Sequence, residues 1–338
     1  MDWFLISFLA MMVSVFALTV LFENRLIPIL RGRKLGQRIL EIGPRWHKSK
    51  EGTPIMGGIG FILATLIVMA VFFTVQGVRG VASGYIPLAL TIAFAVANGA
   101  IGFVDDYCKL IKKQNEGLTS RQKLFLQLVI AAAYVCVMSY TGNMDTKLAL
   151  PFTDITLDLG ILWYPLAVLV LAGVVNGGNI TDGIDGLASS VVFVIGAFFA
   201  VLAFMARDAQ LSPVAAILIG SSLGFLVYNF HPARVFMGDT GSLFFGAFVI
   251  ASAFQMGEEL VGLIVAAVFI IEMLSSLLQT TVFRITKRLS KDRRGRRILR
   301  MAPLHHHFEK CGWGEIKIVI VFSLVELLFC IVAFLALR

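Results

Sequence analysis

The sequence predicts an all-α polytopic membrane protein, and three features of its composition predict it. Of the 338 residues, 58% are hydrophobic and only 15% are charged, and the mean hydropathy is +0.86. A membrane-spanning helix takes roughly 20 apolar residues, so this content suffices for about ten spans. The remainder is too short for a second, soluble core of ordinary size. The composition excludes a soluble globular protein and a disordered chain. We therefore expect one integral-membrane domain over residues 1–338.

Hydrophobic runs bounded by charged residues, Gly or Pro predict the helices in chain order. The first run is long enough to span the membrane and has neither a preceding basic segment nor a small-residue cleavage site, so we expect a retained helix and not a signal peptide. Pro151 lies between two short alternating stretches in residues 147–160, which predicts a small outer β-hairpin. The ten predicted helices cover residues 3–22, 56–76, 85–104, 123–141, 161–178, 187–206, 212–229, 241–256, 259–283 and 316–337.

The distribution of basic residues predicts the orientation in the membrane. Of the 29 Lys and Arg residues, 25 fall on one set of connections and 4 on the alternate set and the C-terminus. Cytoplasmic loops carry this kind of excess, so we expect both termini outside. Topology and contact with anionic membrane lipids account for the net charge of +8, and we expect no nucleic-acid partner. The four cysteines have no paired spacing and suggest neither a disulfide framework nor a zinc site.

Five acidic residues lie where the predicted helices reach the cytoplasmic boundary. Ionisable groups at membrane depth are costly and tend to mark functional sites, although each one alone also fits a solvated helix end. Apart from Lys109 and Arg234, their segments offer no nearby basic partner. Carboxylates that converge without cations predict a divalent metal, and few hard oxygen ligands with room for phosphate favour Mg²⁺. The five are Asp105, Asp106, Asp182, Asp185 and Asp239.

The segment between the fifth and sixth predicted helices combines regular polar spacing with glycine. Asn176, Asn179, Asp182 and Asp185 recur every third residue, so on a helical path they would share one side. The glycines between them allow a ligand to approach the backbone N–H groups closely. This pattern favours a nucleotide or phosphate site. The alternative is a glycine-rich seam for helix packing.

Two basic segments carry further candidates. His305, His306 and His307 follow the most basic part of the chain. Because three consecutive histidines in an extended stretch cannot all face one ion, contact with phosphate or substrate is favoured over metal ligation or a structural role. In the first inner loop, Thr53 begins a turn into the second helix, and Lys48 and Lys50 precede it at positions suited to phosphate.

Glu272 lies midway in the ninth apolar run. We expect a hydrogen-bonded residue beside a helix break, in preference to a residue of a proton path.

Together these motifs resemble the polyprenyl-phosphate N-acetylhexosamine-1-phosphate transferase superfamily. The segment with three histidines, Met301–His307, narrows the resemblance to the muramoyl-pentapeptide branch. Ile55 stands where Thr is usual, and the loop before the histidines is unusually rich in arginine. The segments that carry the resemblance are Thr53–Gly58 (TPIMGG), Asp105-Asp106, Asn179–Gly186 (NITDGIDG), Phe236–Ser242 (FMGDTGS) and Met301–His307 (MAPLHHH).

The resemblance implies a bacterial cytoplasmic-membrane enzyme with ten helices, a homodimeric state and an active site on the cytoplasmic side. The implied reaction moves phospho-N-acetylmuramoyl-pentapeptide from its UDP carrier to undecaprenyl phosphate with Mg²⁺ and releases UMP. It is the first lipid-linked step of peptidoglycan synthesis. The implied catalytic residues are Asp105 and Asp106 at the lipid phosphate, Asp239 as the metal ligand, His305 and His306. The implied substrate-binding residues are Lys48, Thr53, Lys123, Asn179, Asp182, Asp185, Phe236, Gln279 and His307.

Two questions of chemistry stay open at the level of sequence. Direct displacement is favoured over a covalent aspartyl intermediate, with Asp105 as the closer contact to the lipid phosphate. Adjacent side chains on a helix point about 100° apart, so Asp105 and Asp106 should play different roles. The rival functions are a sister transferase that uses UDP-GlcNAc and, from another class, a secondary transporter with acids in mid-helix. Only Glu272 points to a transporter.

Overall fold

The computed structural model describes residues 2–32, 50, 52–112, 117–290 and 294–337. Within these ranges the chain forms twelve α-helices and one two-stranded sheet. The helices are α1 Trp3–Gly32, α2 Gly58–Val78, α3 Ile86–Lys112, α4 Ser120–Tyr140, α5 Trp163–Thr181, α6 Leu187–Ala206, α7 Leu211–Asn229, α8 Gly238–Gln255, α9 Glu259–Val265, α10 Ala267–Leu289, α11 Leu304–Lys310 and α12 Glu315–Ala336. The strands are β1 Lys147–Ala149 and β2 Thr156–Asp158.

The prediction of an all-α polytopic membrane protein is confirmed. Nine helices among the described residues are long and apolar enough to cross a membrane. The eighth predicted run corresponds to α8, which has 18 residues and does not belong to that group of nine. The predicted hairpin is also present, because β1 and β2 pair antiparallel with Leu148 opposite Leu157.

Helix α8 lies in the middle of the bundle. Every residue from Thr240 to Phe254 is buried, which requires neighbouring helices on all sides. Two glycines let α3 and α5 approach it closely. A β-carbon at Gly102 of α3 would overlap the main chain of Asp239, and one at Gly178 of α5 would overlap the backbone of Gly246. This close packing brings the ends of α3 and α5 to the N-terminus of α8.

Three elements differ from the predicted ones. The ninth predicted run, 259–283, is two helices that meet at Ala266, where the buried Glu326 of α12 accepts the main-chain N–H of Val268 at 3.2 Å and so caps the start of α10. Helix α1 continues to Gly32. Helix α3 continues to Lys112, so Asp105 lies inside the helix and not after its end.

Candidate functional site

The N-terminus of α8 is held by a carboxylate from another helix. Asp106 of α3 is buried, and its Oδ1 accepts a hydrogen bond from the main-chain N–H of Asp239 at 3.2 Å. Its Oδ2 accepts one from the main-chain N–H of Thr240 at 2.9 Å and one from the Thr240 hydroxyl at 2.7 Å. The first N–H groups of a helix have no partner within it and attract negative charge. Asp106 therefore caps α8 and fixes the position of Asp239.

The carboxylate of Asp239 is surrounded by side chains from three other helices. Its Oδ2 lies 2.7 Å from Lys123 Nζ and 3.3 Å from Lys109 Nζ. Its Oδ1 accepts a hydrogen bond from the Asn179 amide at 3.0 Å, and the same amide donates to Ser242 Oγ at 2.7 Å. The Asp239 side chain is 17% exposed. Side chains can move where a backbone cannot, so this carboxylate is open to a ligand.

Asp105 has a different environment from Asp106, as expected for adjacent residues on one helix. Its Oδ1 accepts the main-chain N–H of Leu118 at 2.7 Å. Its Oδ2 lies 2.6 Å from Lys109 Nζ and 3.5 Å from Lys123 Nζ. Asp105 and Asp239 thus share both ammonium groups. Both oxygens of Asp106 accept hydrogen bonds from the start of α8, and its Oδ1 lies 3.8 Å from Lys109 Nζ.

We call this group the α8 cluster; it consists of Asp105, Asp106, Asp239, Lys109 and Lys123. The expectation of acids with few cations named Lys109 as an exception, and Lys109 does contact the carboxylates; Lys123 is a second cation that this expectation did not include. The spacing of Lys109 four residues after Asp105 is a signal that the sequence does contain. Lys123 comes from α4 and approaches only through the fold.

The three carboxylates of the α8 cluster each place one oxygen within 4.8 Å of the others. Hard oxygen donors in small number, beside groups that can bind phosphate, suit Mg²⁺. At their ordinary charges, three carboxylates face two ammonium groups, so the cluster can accept further positive charge. The donor set therefore fits a divalent cation. Within the described part of the chain, Asp239 is the carboxylate of this set whose oxygens accept hydrogen bonds only from side chains.

Asp182 follows the last residue of α5 and is partly buried. Burial, followed by the nearby carboxylates of Asp239, Asp106 and Asp185, raises the pKa of Asp182 to about 8. A cation bound among these groups would favour the ionised form of Asp182. The acidic end of α5 is therefore coupled electrostatically to the α8 cluster.

The expectation that four polar residues share one side of a helix holds only for the first two. Asn176 and Asn179 lie on α5, and the Asn176 amide donates to Gln127 Oε1 of α4 at 2.7 Å. The helix ends at Thr181, so Asp182 and Asp185 lie beyond it. The glycines that follow favour a turn over a further helical turn, since glycine is costly inside a helix.

Asp185 is the centre of a second charged group, which we call the α12 cluster: Asp185, Lys50, His231 and Glu315. Asp185 Oδ1 lies 2.7 Å from Lys50 Nζ, and its Oδ2 lies 3.0 Å from His231 Nδ1. Lys50 Nζ also lies 2.6 Å from Glu315 Oε2 at the start of α12. Two main-chain hydrogen bonds complete it, from Ala233 to Asp185 and from Asp185 to Glu315.

The segments around Thr53 and Phe236 pair with each other along the backbone. Phe236 N–H donates to the carbonyl of Pro54, and Gly57 N–H donates to the carbonyl of Phe236, both at 2.9 Å. A β-carbon at Gly58 would overlap the main chain of Gly241, so glycine is required where α2 meets α8. Thr53 and Phe236 are both partly exposed. The pairing brings two of the predicted motifs to the N-terminus of α8.

The three histidines lie on α11 and not in an extended stretch, which corrects the expected local structure. A helix turns successive side chains apart, and each histidine has its own environment. His305 is buried against Glu272, with Nδ1 at 3.0 Å from the carboxylate. His306 Nδ1 lies 2.5 Å from Glu309 Oε2, and His307 Nδ1 accepts the main-chain N–H of Arg300 at 3.0 Å.

Gln279 of α10 bonds to the backbone before α11. Its Oε1 accepts the N–H groups of Ile298 and Leu299, and its amide donates to the carbonyl of Leu299 at 3.0 Å. These bonds hold the segment after residue 293 against α10. Contact of Gln279 with a nucleotide remains a prediction.

The fold brings most of the predicted residues to one end of α3, α5 and α8. Lys48 lies outside the described residues. Sequence reasoning named Lys109 only as a nearby cation, did not place Glu315 in a site and gave Thr240 no role. Lys50, which we expected near phosphate, lies between Asp185 and Glu315. For Glu315 the sequence has no signal, because its partners Lys50 and Asp185 are 265 and 130 residues away along the chain.

Comparison with known proteins gives consistent matches over most of the chain. A model of the family described as glycosyl transferase family 4 matches residues 86–257. A phospho-N-acetylmuramoyl-pentapeptide-transferase of Clostridium botulinum is 40% identical over 322 residues, which cover 95% of this chain and 94% of that protein. The protein of the same name in Shouchella clausii is 41% identical over 326 residues, covering 96% of both chains. The protein of that name in Clostridium acetobutylicum is 41% identical over 323 residues, which cover 95% of this chain and 96% of that protein.

Proposed function

Since the chain belongs to glycosyl transferase family 4 and, within it, to the phospho-N-acetylmuramoyl-pentapeptide-transferases, we propose that it transfers phospho-N-acetylmuramoyl-pentapeptide from UDP-N-acetylmuramoyl-pentapeptide to undecaprenyl phosphate. The reaction releases UMP and forms the first lipid-linked precursor of peptidoglycan. The whole chain, residues 1–338, acts as one membrane domain. It lies in the bacterial cytoplasmic membrane as a homodimer, with the α8 cluster facing the cytoplasm.

The observation that carries this proposal is the convergence of acids and lysines at the N-terminus of α8. Asp105 and Asp239 share Lys109 and Lys123, each at 3.5 Å or less. Both substrates of the proposed reaction are anionic phosphates. A site for two such substrates must supply positive charge and must also hold it in place, and this cluster does both.

The main obstacle to the reaction is the approach of one anion to another. The acceptor is a phosphate monoester with a second pKa of about 6, so it is mostly dianionic at pH 7 and hardly needs a strong base. When the substrates bind, Lys109 and Lys123 can turn from the carboxylates to phosphate oxygens and offset their charge. The acceptor oxygen then attacks the sugar-proximal phosphorus in line, a new pyrophosphate bond forms, and UMP leaves.

Mg²⁺ is the proposed cofactor, with Asp239 as its principal ligand and Asp105 nearby. When bound, the ion would neutralise charge on the donor pyrophosphate. Asp106 is a poor candidate for a direct ligand, because both of its oxygens accept hydrogen bonds from the start of α8. The arrangement favours direct displacement with Asp105 orienting the lipid phosphate.

The remaining predicted residues complete the two substrate sites. The donor nucleotide is proposed to lie along the end of α5, near Asn179, Asp182 and Asp185, with uracil against the partly exposed ring of Phe236. An aromatic face stacks on any base, so this contact gives affinity more than selectivity. Residues proposed to contact substrate from other segments are Lys48, Thr53, Gln279, His305, His306 and His307.

The test is UMP release by the purified protein in detergent with undecaprenyl phosphate. We expect release with UDP-N-acetylmuramoyl-pentapeptide, a requirement for a divalent cation and no release when the lipid is omitted. Asp158→Asn, on the exposed strand β2, should behave like the unaltered protein. Release with UDP-GlcNAc in place of the muramoyl donor would identify a sister transferase. Absence of release with either donor would reject the proposal. Labelled sugar phosphate trapped on the protein without lipid would exclude direct displacement.

A further inference from the structure

Glu272 is a buried carboxylate on α10 that the proposed reaction does not use directly. It accepts three hydrogen bonds from the start of α11. Its Oε2 accepts the main-chain N–H of Leu304 at 3.0 Å and lies 3.0 Å from Nδ1 of His305. Its Oε1 accepts the main-chain N–H of His305 at 3.1 Å. The carboxylate therefore binds both the backbone and the imidazole of one residue.

The backbone bonds explain why an acid is present at this depth. Helix α11 begins after Pro303, whose side chain makes no capping hydrogen bond. The first N–H groups of a helix need an acceptor and attract negative charge. Glu272 supplies both from a neighbouring helix. These bonds also hold the carboxylate in place, so it presents a fixed acceptor to the ring of His305.

The ring bond sets the tautomer of His305. A carboxylate that already receives two N–H groups has only acceptor oxygens to offer, so Nδ1 must carry a proton. In the neutral ring the proton is then absent from Nε2, and in the cationic ring both nitrogens carry one. In either state, Nε2 is the nitrogen left for another partner.

The position of Nε2 connects this pair to the proposed donor site. Nε2 is buried, and it has no hydrogen-bond partner among the described residues. A β-carbon at Gly183 would overlap Nε2, so the ring lies directly against the backbone between Asp182 and Asp185. Leaving a buried polar atom unpaired is unfavourable, and a bound ligand can supply the missing partner. The fold thus holds His305 from one side by Glu272 and from the other by Gly183.

We propose that Glu272 is a positioning residue that acts through His305. By keeping the proton on Nδ1, it directs Nε2 at the segment that carries Asp182, where the donor pyrophosphate is proposed to bind. The proposal goes beyond the reaction itself but rests on the proposed function for its effect on activity. Its structural half, the tautomer, does not depend on any substrate.

The first experiment observes the tautomer directly. The protein is labelled with ¹⁵N-histidine, and the ring nitrogens of His305 are identified by the signals lost in His305→Asn. We expect Nδ1 to carry the proton in the unaltered protein. In Glu272→Gln the amide can donate to Nδ1, so the proton should move to Nε2. A ring with a proton on Nε2 and none on Nδ1 in the unaltered protein would overturn the proposal without recourse to any variant of Glu272.

The second experiment asks whether Glu272 acts through His305. UMP release is measured for Glu272→Gln, His305→Asn and the double variant. A wrong tautomer in a carboxylate–histidine pair can cost up to about 10⁴-fold in kcat, and we expect a loss of at least tenfold in Glu272→Gln. If the two residues act as a unit, the double variant is no slower than His305→Asn alone. If Glu272→Gln lowers kcat by the same factor in the unaltered protein and in His305→Asn, the proposal is contradicted.

Glu326→Gln is the matched control. Glu326 is also a buried acid that accepts an N–H group at the start of a helix, from Val268, and its other oxygen accepts the thiol of Cys330 at 3.7 Å. None of its hydrogen bonds within the described ranges involves a histidine. A glutamine can keep the hydrogen bond from Val268 through its amide oxygen. We expect Glu326→Gln to leave kcat and the tautomer of His305 unchanged. Glu272→Asp, which keeps the charge on a shorter side chain, should keep the proton on Nδ1 and retain more activity than Glu272→Gln.

The outcomes separate this proposal from the proposed function. An Nδ1 proton that moves in Glu272→Gln, in a protein without transferase activity, would reject the function and preserve the pairing. Transferase activity that survives Glu272→Gln unchanged would reject the positioning role and preserve the function. If Glu272→Gln fails to fold, the tautomer of His305 in the unaltered protein and the activity of Glu272→Asp still test whether Glu272 positions His305.

Discussion

The α8 and α12 clusters contain the same kinds of groups but hold them differently. In the α12 cluster, Asp185 is 2% exposed and receives hydrogen bonds from Lys50, from His231 and from a main-chain N–H group. In the α8 cluster, Asp239 is 17% exposed, and its oxygens contact the side chains of Lys109, Lys123 and Asn179. The first arrangement ties distant segments together. The second leaves a carboxylate whose partners can exchange for a ligand.

The same division appears inside the α8 cluster itself. Asp106 is bound by the backbone of α8, whereas Asp239 is bound by side chains. Two carboxylates that lie within a few ångströms of each other therefore have different proposed roles: Asp106 caps a helix, and Asp239 binds the ligand. For Asp106 and Asp239, the kind of hydrogen-bond donor around the carboxylate, main chain or side chain, distinguishes the two proposed roles.

The largest loss of activity is expected from replacing Asp239, whose carboxylate accepts hydrogen bonds from side chains of the described residues and from none of their main-chain groups. Asp239→Asn should lower UMP release by roughly 1000-fold, since a bound metal stabilises the transferring group by several kcal/mol and about 1.36 kcal/mol corresponds to tenfold. The folded structure should persist, because the capping bonds of α8 use the main chain of residue 239. Direct Mn²⁺ binding, followed by electron paramagnetic resonance, should weaken in parallel. Unchanged Mn²⁺ binding would remove Asp239 as the metal ligand.

The adjacent aspartates on α3 sharpen the comparison between chemistry and architecture. Asp105→Asn should lower UMP release by roughly 100-fold, within the range of losses for general acid–base or positioning groups. Its amide oxygen can keep the single main-chain hydrogen bond from Leu118, so stability should fall less than in Asp106→Asn. Asp106→Asn should mainly destabilise the protein, because its amide would face an N–H group of α8 where an acceptor is needed. The measurement is kcat beside the thermal midpoint in detergent. The same pattern of losses in both variants would contradict separate roles.

Whether a contact in the two clusters can be predicted from the sequence depends on how far apart its residues lie along the chain. The helices, the hairpin and the acidic motifs follow from local patterns, and the pair of Asp105 with Lys109 follows from helical spacing. The contact between Asp185 and Glu315 does not, since it joins residues 130 apart. The apolar run around Glu272 predicts that this residue is buried, but it does not predict which residue Glu272 contacts. The capping role of Asp106 needs the close approach of α3 and α8, which Gly102 permits and no local pattern predicts.

A matched pair of lysines tests the comparison between the clusters. Lys50 bridges Asp185 and Glu315, and Lys109 bridges Asp105 and Asp239. Lys50→Met should lower the free energy of unfolding by about 3 kcal/mol, because it leaves Asp185 buried without its cation. Lys109→Met should cost about 1 kcal/mol at most, since that lysine is more exposed and Lys123 remains.

Activity should follow the opposite order for these lysines. Lys109→Met should lose more UMP release than Lys50→Met at a temperature where both variants are folded. The measurements are urea unfolding in detergent and initial rates on the same preparations. Equal losses of stability would mean that the α8 cluster is as structural as the α12 cluster.

The smallest effect is expected where the cap of α8 is removed in part. Thr240→Val keeps the shape of the side chain and the main-chain N–H bond to Asp106, and removes only the hydroxyl bond of 2.7 Å. A hydrogen bond to a charged group contributes about 1.5–3 kcal/mol, and the remaining donors offset part of this, so we expect a loss of about 1 kcal/mol in the free energy of unfolding. Thr240→Ser, which keeps the hydroxyl, is the control. If Asp106 acts only as a cap, the Mn²⁺ affinity of Thr240→Val should fall slightly and the KM for undecaprenyl phosphate should not change. A rise in that KM with unchanged Mn²⁺ affinity would instead assign Asp106 to the lipid phosphate.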